Sequence, residues 1–492
     1  MKHSRALATA IVSILLIGGG GATGASATSA APTPTPSSTD RSGLPALPSA
    51  DHVESSGIAT SATGGAYLLK DIYPGPNTGF PNFPRFTKIG KYVIFAADNP
   101  TSGEELWRTE GTSATTELVK DIYPGANSSN PTDFVVMGNY VYFAAVDSHS
   151  ADELWRTNGT SSGTTLVDDI DPGASTGAPS GLVADGSTLY FVGSDNTYGA
   201  ELWKSNGTAA GTEIVRDIYP GSTGSMGGKA PVLDGGTLYF AADDGTHGTE
   251  LWESRGTAPS TQMVADINPG TADSDPESLT LYKGDVYFAA TSATGGNELW
   301  AVDGSNVVQL KDIAPGTADS SPFALTATSG YLFFTATTSA NGKELWRTDG
   351  TLGGTQLVQD IVPGPAGSNP AGLTAIGNTV YFTANDGASP DELWKSDGES
   401  GGTVKVKTLS AIASVGPGNY LAVGSKLYFA GVDDNNTASL WVSGGTSSST
   451  KSVAKLSTTN GGGPYSLFAT GGKLYFVGET ATTGGEAWVY KY

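Results

Sequence analysis

The 492-residue chain contains no cysteine. Disulfides, a thiol nucleophile, thiolate metal sites and a lipid-anchored cysteine are therefore excluded, and the core alone must hold the fold. Histidine is scarce as well. Of the four, His3 stands at the N-terminus, and His52, His149 and His247 are scattered, which disfavours a histidine-based nucleophile–base pair. Positive charge is short: 26 Lys+Arg stand against 48 Asp+Glu, for a net charge of −22. Nucleic acid and anionic membrane are poor partners for such a chain. No stretch keeps a helical period. There is no His-Glu-x-x-His and no glycine-rich phosphate cradle.

The one long apolar run, from Ala6 to Ile17, is short for a membrane span. Lys2, His3 and Arg5 precede it and Ala25-Ser26-Ala27 follows it. Residues 1–27 thus read as a secretory signal peptide, which predicts a secreted or cell-surface protein without membrane insertion. Residues 28–65 are rich in Ala, Ser, Thr and Pro, with Pro32, Pro34 and Pro36 close together. Such a segment buries too little apolar surface to fold and reads as a disordered linker.

What the rest has in abundance is repetition. Trp107, Trp155, Trp203, Trp252, Trp300, Trp346, Trp394, Trp441 and Trp488 recur about every 48 residues, a period of the kind that marks propellers and arrays. Each repeat carries four short β-like runs. In the second they are Asp133–Met137, Tyr140–Phe143, Glu153–Trp155 and Leu166–Ile170, divided by Gly138-Asn139, an acidic loop and Asn158-Gly159, and closed by Pro172-Gly173. Four short strands per repeat match one propeller blade. The array opens on an unmatched fourth strand, Leu68–Ile72, and ends on an unmatched third strand, Glu486–Val489. The sequence therefore predicts an all-β, closed β-propeller of about nine four-stranded blades over residues 66–492. Its N-terminal strand completes the last blade and hides both edges. Two smaller rings are the alternative, but no linker-like break divides the array.

The motif Glu-Leu-Trp-x-x-Asp-Gly-Thr, complete at Glu344 to Thr351, resembles the ELWxxDGT tandem-repeat family of exported bacterial proteins. The resemblance covers residues 66–492 and implies a secreted repeat protein of propeller type. It supplies no catalytic residue. The last repeats depart most. Thr408 and Lys455 replace the recurring fourth-strand Asp, Ser439 replaces the motif Glu, and Ala487 replaces the motif Leu.

The nine tryptophans share one strand position, which assigns them to the core rather than to a sugar platform. Tyr-Phe pairs such as Tyr142-Phe143 read the same way. The motif Glu is repeated too often to be a single general acid, so a repeated hydrogen bond or ion pair is expected. The fourth-strand Asp should accept N–H groups of the Pro-Gly turn after it. Gly159-Thr160-Ser161-Ser162-Gly163 fits a serine-hydrolase elbow by letter only, since it lies in a hairpin. Catalytic residues are thus not assigned. Asp243-Asp244-Gly245 and Asp433-Asp434-Asn435-Asn436 gather oxygen ligands, which makes calcium the one cofactor suggested, at Asp243 and Asp244.

In a four-stranded blade the loops after strands two and four share a face. Tyr73, Tyr123 and Tyr219 lie there beside variable loops, and variable loops on a rigid scaffold are where binding usually lives. The sequence expectation is a monomeric, non-enzymatic binding or adhesion scaffold that recognises an extracellular glycan or protein. The alternatives are a propeller hydrolase or lyase acting on extracellular polysaccharide or peptide, and a structural cell-envelope protein.

Overall fold

Every repeat folds as a four-stranded antiparallel sheet, and nine such sheets are arranged as a β-propeller. A computed structural model describes residues 65–492 apart from 81–84, 149–151, 173–176, 305, 389–391, 410–418, 433–436 and 458–462. The expected leader and most of the linker, His52, His149 and the acidic loop 433–436 lie outside the described residues. No helix among the described residues is long and apolar enough to cross a membrane.

Blade 2 shows the plan. Its strands are Thr132–Met137, Tyr140–Val146, Asp152–Thr157 and Thr165–Asp168, hydrogen-bonded in that order. First strands of successive blades touch one another, as Thr132–Met137 touches Ser180–Asp185 of blade 3. They therefore wall the axial channel, and the fourth strands lie outermost. The second strand reads Tyr-Val-Tyr-Phe-Ala-Ala because both of its faces are covered by neighbouring blades, so it alternates little.

One cross-strand pair recurs in all nine blades. Phe95 stands opposite Trp107, Phe143 opposite Trp155, and so on to Phe476 opposite Trp488. Aromatic partners placed directly across a ladder stabilise it beyond their area. Eight of the nine tryptophans are buried. Trp300 departs from the expected core role, being half-buried. In several blades a basic residue of the preceding fourth strand lies over the indole. The amines of Lys70 and Lys120 lie 5.6 and 5.5 Å from the rings of Trp107 and Trp155, and the Arg216 guanidinium lies 5.8 Å from that of Trp252. Blade 4 has Ala265 at that position.

The same basic residues join blades by hydrogen bonds. Lys70 and Lys120 donate to the carbonyls of Thr116 and Thr164, each at 2.9 Å. Lys311 and Lys407 donate to Thr355 and Thr450 at 3.2 and 3.1 Å. The motif glycine has an interblade role too. Gly159 has φ of 84°, and a Cβ there would lie 2.7 Å from the Tyr92 ring of the blade before. Backbone conformation and close approach both require glycine.

The ninth blade contains Tyr465–Thr470, Lys473–Thr480 and Gly484–Lys491, and takes Ala66–Lys70 as its fourth strand. Leu68 lies opposite Trp488, as the unmatched strands predict. Leu69, Phe86, Phe95, Tyr475 and Val489 then pack in one cluster, which closes the ring between blades 9 and 1. Leu69 is fully buried, so Leu69→Ala is expected to cost about 2–5 kcal/mol. Deleting residues 66–72 should cost more and promote aggregation through the bared edge of Gly484–Lys491. Chemical denaturation with light scattering checks both; an unchanged unfolding midpoint would refute strand closure.

Candidate functional site

The motif Glu organises the loop face from below. Glu105 is fully buried. It accepts the N–H groups of Ile122 at 2.8 Å, Tyr123 at 3.1 Å and Ser129 at 3.1 Å, and the Ser129 hydroxyl at 2.6 Å. One carboxyl thus gathers the whole connection from strand four to the next blade. Glu201 with Ser225, Glu250 with Ser274 and Glu298 with Ser320 repeat the arrangement. The partner is the backbone and a serine rather than a cation; among the described residues Glu392 alone of the motif glutamates has an ion pair, to Lys405 at 2.8 Å.

The serine was not singled out from the sequence, although a signal exists. Ser129, Ser274, Ser320 and Ser368 each stand two residues before a proline: Pro131, Pro276, Pro322 and Pro370. Two blades lack it. Gly177 and Gly79 occupy the place, and a Cβ on them would lie 2.7 and 2.8 Å from an oxygen of Glu153 and Glu486. Glu153 Oε1 is left without a partner.

Burial raises these carboxyls. It pushes Glu105 and Glu201 up to about 7 against the pull of their hydrogen bonds. Glu153 is likewise raised to about 7 by burial, and further by the neighbouring Asp169. Glu486, without a serine hydroxyl, reaches about 8. A carboxyl whose pKa is higher folded than unfolded stabilises fully below its unfolded value, and that stabilisation fades as pH rises through the folded value.

The fourth-strand Asp accepts from the Pro-Gly turn through one oxygen. Gly125 N–H reaches Asp121 Oδ2 at 3.2 Å and Gly316 N–H reaches Asp312 Oδ2 at 3.3 Å. Among the described residues Oδ1 of Asp71, Asp121, Asp217, Asp266 and Asp360 is buried without a hydrogen-bond partner. Among the described residues no group of three or more His, Cys, Asp or Glu could hold a metal ion. The sequence-derived calcium pair is bound up in its own loop. Asp243 accepts Gly245 N–H at 2.7 Å, Asp244 Oδ1 accepts Thr246 N–H at 2.8 Å and His247 N–H at 2.9 Å, and Asp244 Oδ2 lies 2.8 Å from His247 Nδ1. The hydrogen bond to Asp244 raises His247.

Tyr73, Tyr123 and Tyr219 are half-buried. Their N–H groups are held by Glu486, Glu105 and Glu201 at 2.9, 3.1 and 3.1 Å. A Cβ on Gly245 would meet the Tyr219 ring at 2.8 Å, so this tyrosine packs on the acidic loop of the next blade. The three stand on different blades, and no single cavity is shown to join them.

A cavity does occur on this face, between blades 5 and 6. It measures about 320 Å³ and is lined by Glu277, Asn297, Ser321, Phe323, Thr337 and Lys343, among others. Glu277 and Phe323 open the first strands Glu277–Tyr282 and Phe323–Ala327, so the cavity adjoins the channel mouth. Register shifts between Glu277 and Thr280 and between Phe323 and Thr326 mark a bulge at the head of each strand, which re-aims the side chains there. Glu277 is paired with Lys229 at 2.7 Å. Lys343 follows Gly342 at the head of its third strand, where other blades place Glu104, Asp152, Ala200, Thr249 or Asn297. Its amine lies 5.7 Å from the centre of the Phe323 ring, which is 41% exposed. Burial lowers the pKa of Lys343. Among the described residues no hydrogen bond or ion pair holds this amine.

No family model and no curated protein matches the chain. Solved structures do. A puromycin-hydrolyzing peptidase from Mycobacterium tuberculosis is 11% identical with a TM-score of 0.41; the match covers 84% of this chain and 59% of that one. A prolyl endopeptidase is 14% identical with a TM-score of 0.41, over 73% of this chain and 54% of that one. A puromycin hydrolase is 15% identical with a TM-score of 0.37, over 71% and 58%. This chain thus spans less than two thirds of those proteins, and such a likeness concerns the fold. The proteins so found are peptidases, which stands against the expectation of a non-enzymatic binding or adhesion scaffold. That expectation rested on variable loops gathered on one face, on the equivalence of the repeat positions, and on the scarcity of histidine and the absence of cysteine. A propeller fold by itself decides none of this, since one fold hosts many functions.

The raised glutamates make stability depend on pH. The melting temperature should fall as pH rises from about 5 to about 8.5, through the window set by Glu105, Glu153, Glu201 and Glu486. Glu486→Gln should flatten that slope. Calorimetry across the range checks it; a melting temperature that rises with pH would contradict the assigned direction.

Proposed function

We propose that the ring is an exported propeller that handles peptide for hydrolysis, and that the peptide sits at the channel mouth on the loop face. The cavity beside Lys343 carries this proposal. It adjoins the channel wall, offers the exposed ring of Phe323, and holds an amine that no described group neutralises. Withdrawing an amine from water without a counter-charge is unfavourable, and a ligand that supplies one is favoured there. Peptide is the substrate class of the prolyl endopeptidases named above, and we carry that class over as part of the proposal. Export is supported by the charged start, the apolar run and Ala25-Ser26-Ala27. The ring positions the peptide, and cleavage falls to a nucleophile outside the described residues.

The test is peptide hydrolysis in the medium of the producing cells, before and after the chain is removed with an antibody. Cleavage of short peptides should fall, while cleavage of a folded protein substrate stays, and adding back the purified chain should restore the loss. Undiminished cleavage, together with no binding of peptides to the purified chain, would defeat the proposal.

A further inference from the structure

Lys343 is exceptional in a strongly acidic ring. At the same place in the repeat, blades 1 to 5 carry Glu104, Asp152, Ala200, Thr249 and Asn297. The fourth-strand lysines are engaged with threonine carbonyls of the next blade. Lys229 and Lys405 are engaged with carboxylates. Lys343 has neither kind of partner among the described residues, although its side chain is half-buried. Phe323 beside it is one of the few large apolar side chains left exposed.

These two groups define a ligand chemistry. A cation 5.7 Å from the centre of an open aromatic ring suits a carboxylate with an apolar group about one residue away. Of the other polar walls two are engaged and two, the hydroxyls of Ser321 and Thr337, are left without a partner among the described residues. Glu277 is paired with Lys229, and the Asn297 side-chain amide donates to Thr291 at 3.2 Å. A sugar acid would bring several hydroxyls that each need a partner, more than the Ser321 and Thr337 hydroxyls can serve. The last residue of a peptide brings one carboxylate and one side chain. A space of about 320 Å³ is at the small end for ligand sites and suits one or two residues.

We infer that the pocket of Lys343 and Phe323 receives the C-terminus of a peptide. The α-carboxylate pairs with the Lys343 amine and the last side chain packs on the Phe323 ring. This inference rests on the peptide function proposed above and narrows it to peptides with a free carboxyl end. The bonds are non-covalent. A charge-assisted hydrogen bond is stronger than a neutral one, so the pocket discriminates an acid from its amide.

Calorimetric titration of the full chain with N-acetyl-Ala-Ala-Phe as the free acid and as the amide tests it. A set of longer peptides and an oligogalacturonate are titrated alongside. The amide should bind about tenfold or more weakly than the acid. Lys343→Gln should erase that difference, Lys343→Arg should keep most of it, and Phe323→Ser should weaken both forms. Lys283→Gln, on the opposite face, is the control and should match the unaltered chain. Equal affinity for acid and amide, with peptides still bound, overturns the carboxylate pocket and leaves the peptide function standing. If no peptide binds at all, both fall. If the oligogalacturonate binds in a Lys343-dependent way while the peptides do not, the pocket is one for acidic sugars and the inference is overturned.

Discussion

A buried carboxyl that gathers backbone N–H groups is the interaction on which the rest of the ring depends. The connection from a fourth strand to the next blade is irregular, and its N–H groups have no ladder to join. Left unpaired in the interior, each would cost about 1–3 kcal/mol. Glu105 takes three of them and a serine hydroxyl. That fixes the direction in which the chain leaves one blade, and so the angle at which it enters the next. Repetition of this bond sets the pitch of the ring. The aromatic pairs, the lysine bonds and the tyrosine-to-glycine contacts fill an interface whose geometry the carboxyl has already chosen.

The same device accounts for the irregular blades. Glycine replaces the serine opposite Glu153 and Glu486, and the carboxyl moves into the space. Glu392 is held by Lys405 and by the Thr408 hydroxyl at 2.8 Å. Blade 8 dispenses with the carboxyl, and Ser439 there bonds the Thr437 carbonyl at 3.3 Å. Departures that look like decay of the motif in the sequence are thus compensated locally, and the ladder of each blade is kept.

The loop face has a different economy. Most of its acidic residues are occupied with their own turns, as Asp243 and Asp244 show. Tyr219 lies against the neighbouring loop at Gly245. The cavity between blades 5 and 6 is different in kind, because the Lys343 amine has no hydrogen bond or ion pair among the described residues and the Phe323 ring is exposed. Binding potential on a repeat scaffold therefore comes from one blade departing from the pattern, not from the pattern itself.

By itself the sequence determined the fold. Nine tryptophans at one period, four β-like runs per period and an unmatched strand at each end leave little besides a closed nine-bladed ring. Each of these signals is local, or depends only on counting along the chain. The structural meaning of the motif was partly legible: repetition shows that the Glu is not a lone catalyst, but not that its partners are backbone N–H groups of the following loop. The serine that completes it stands 24 residues after Glu105, and only folding brings the two together. Lys343 and Phe323 are twenty residues apart in the same repeat, and neither belongs to a motif. What places them over one cavity is the packing of blade 5 against blade 6. Such a site depends on which side chains the interface leaves without partners, and that is decided only by tertiary structure.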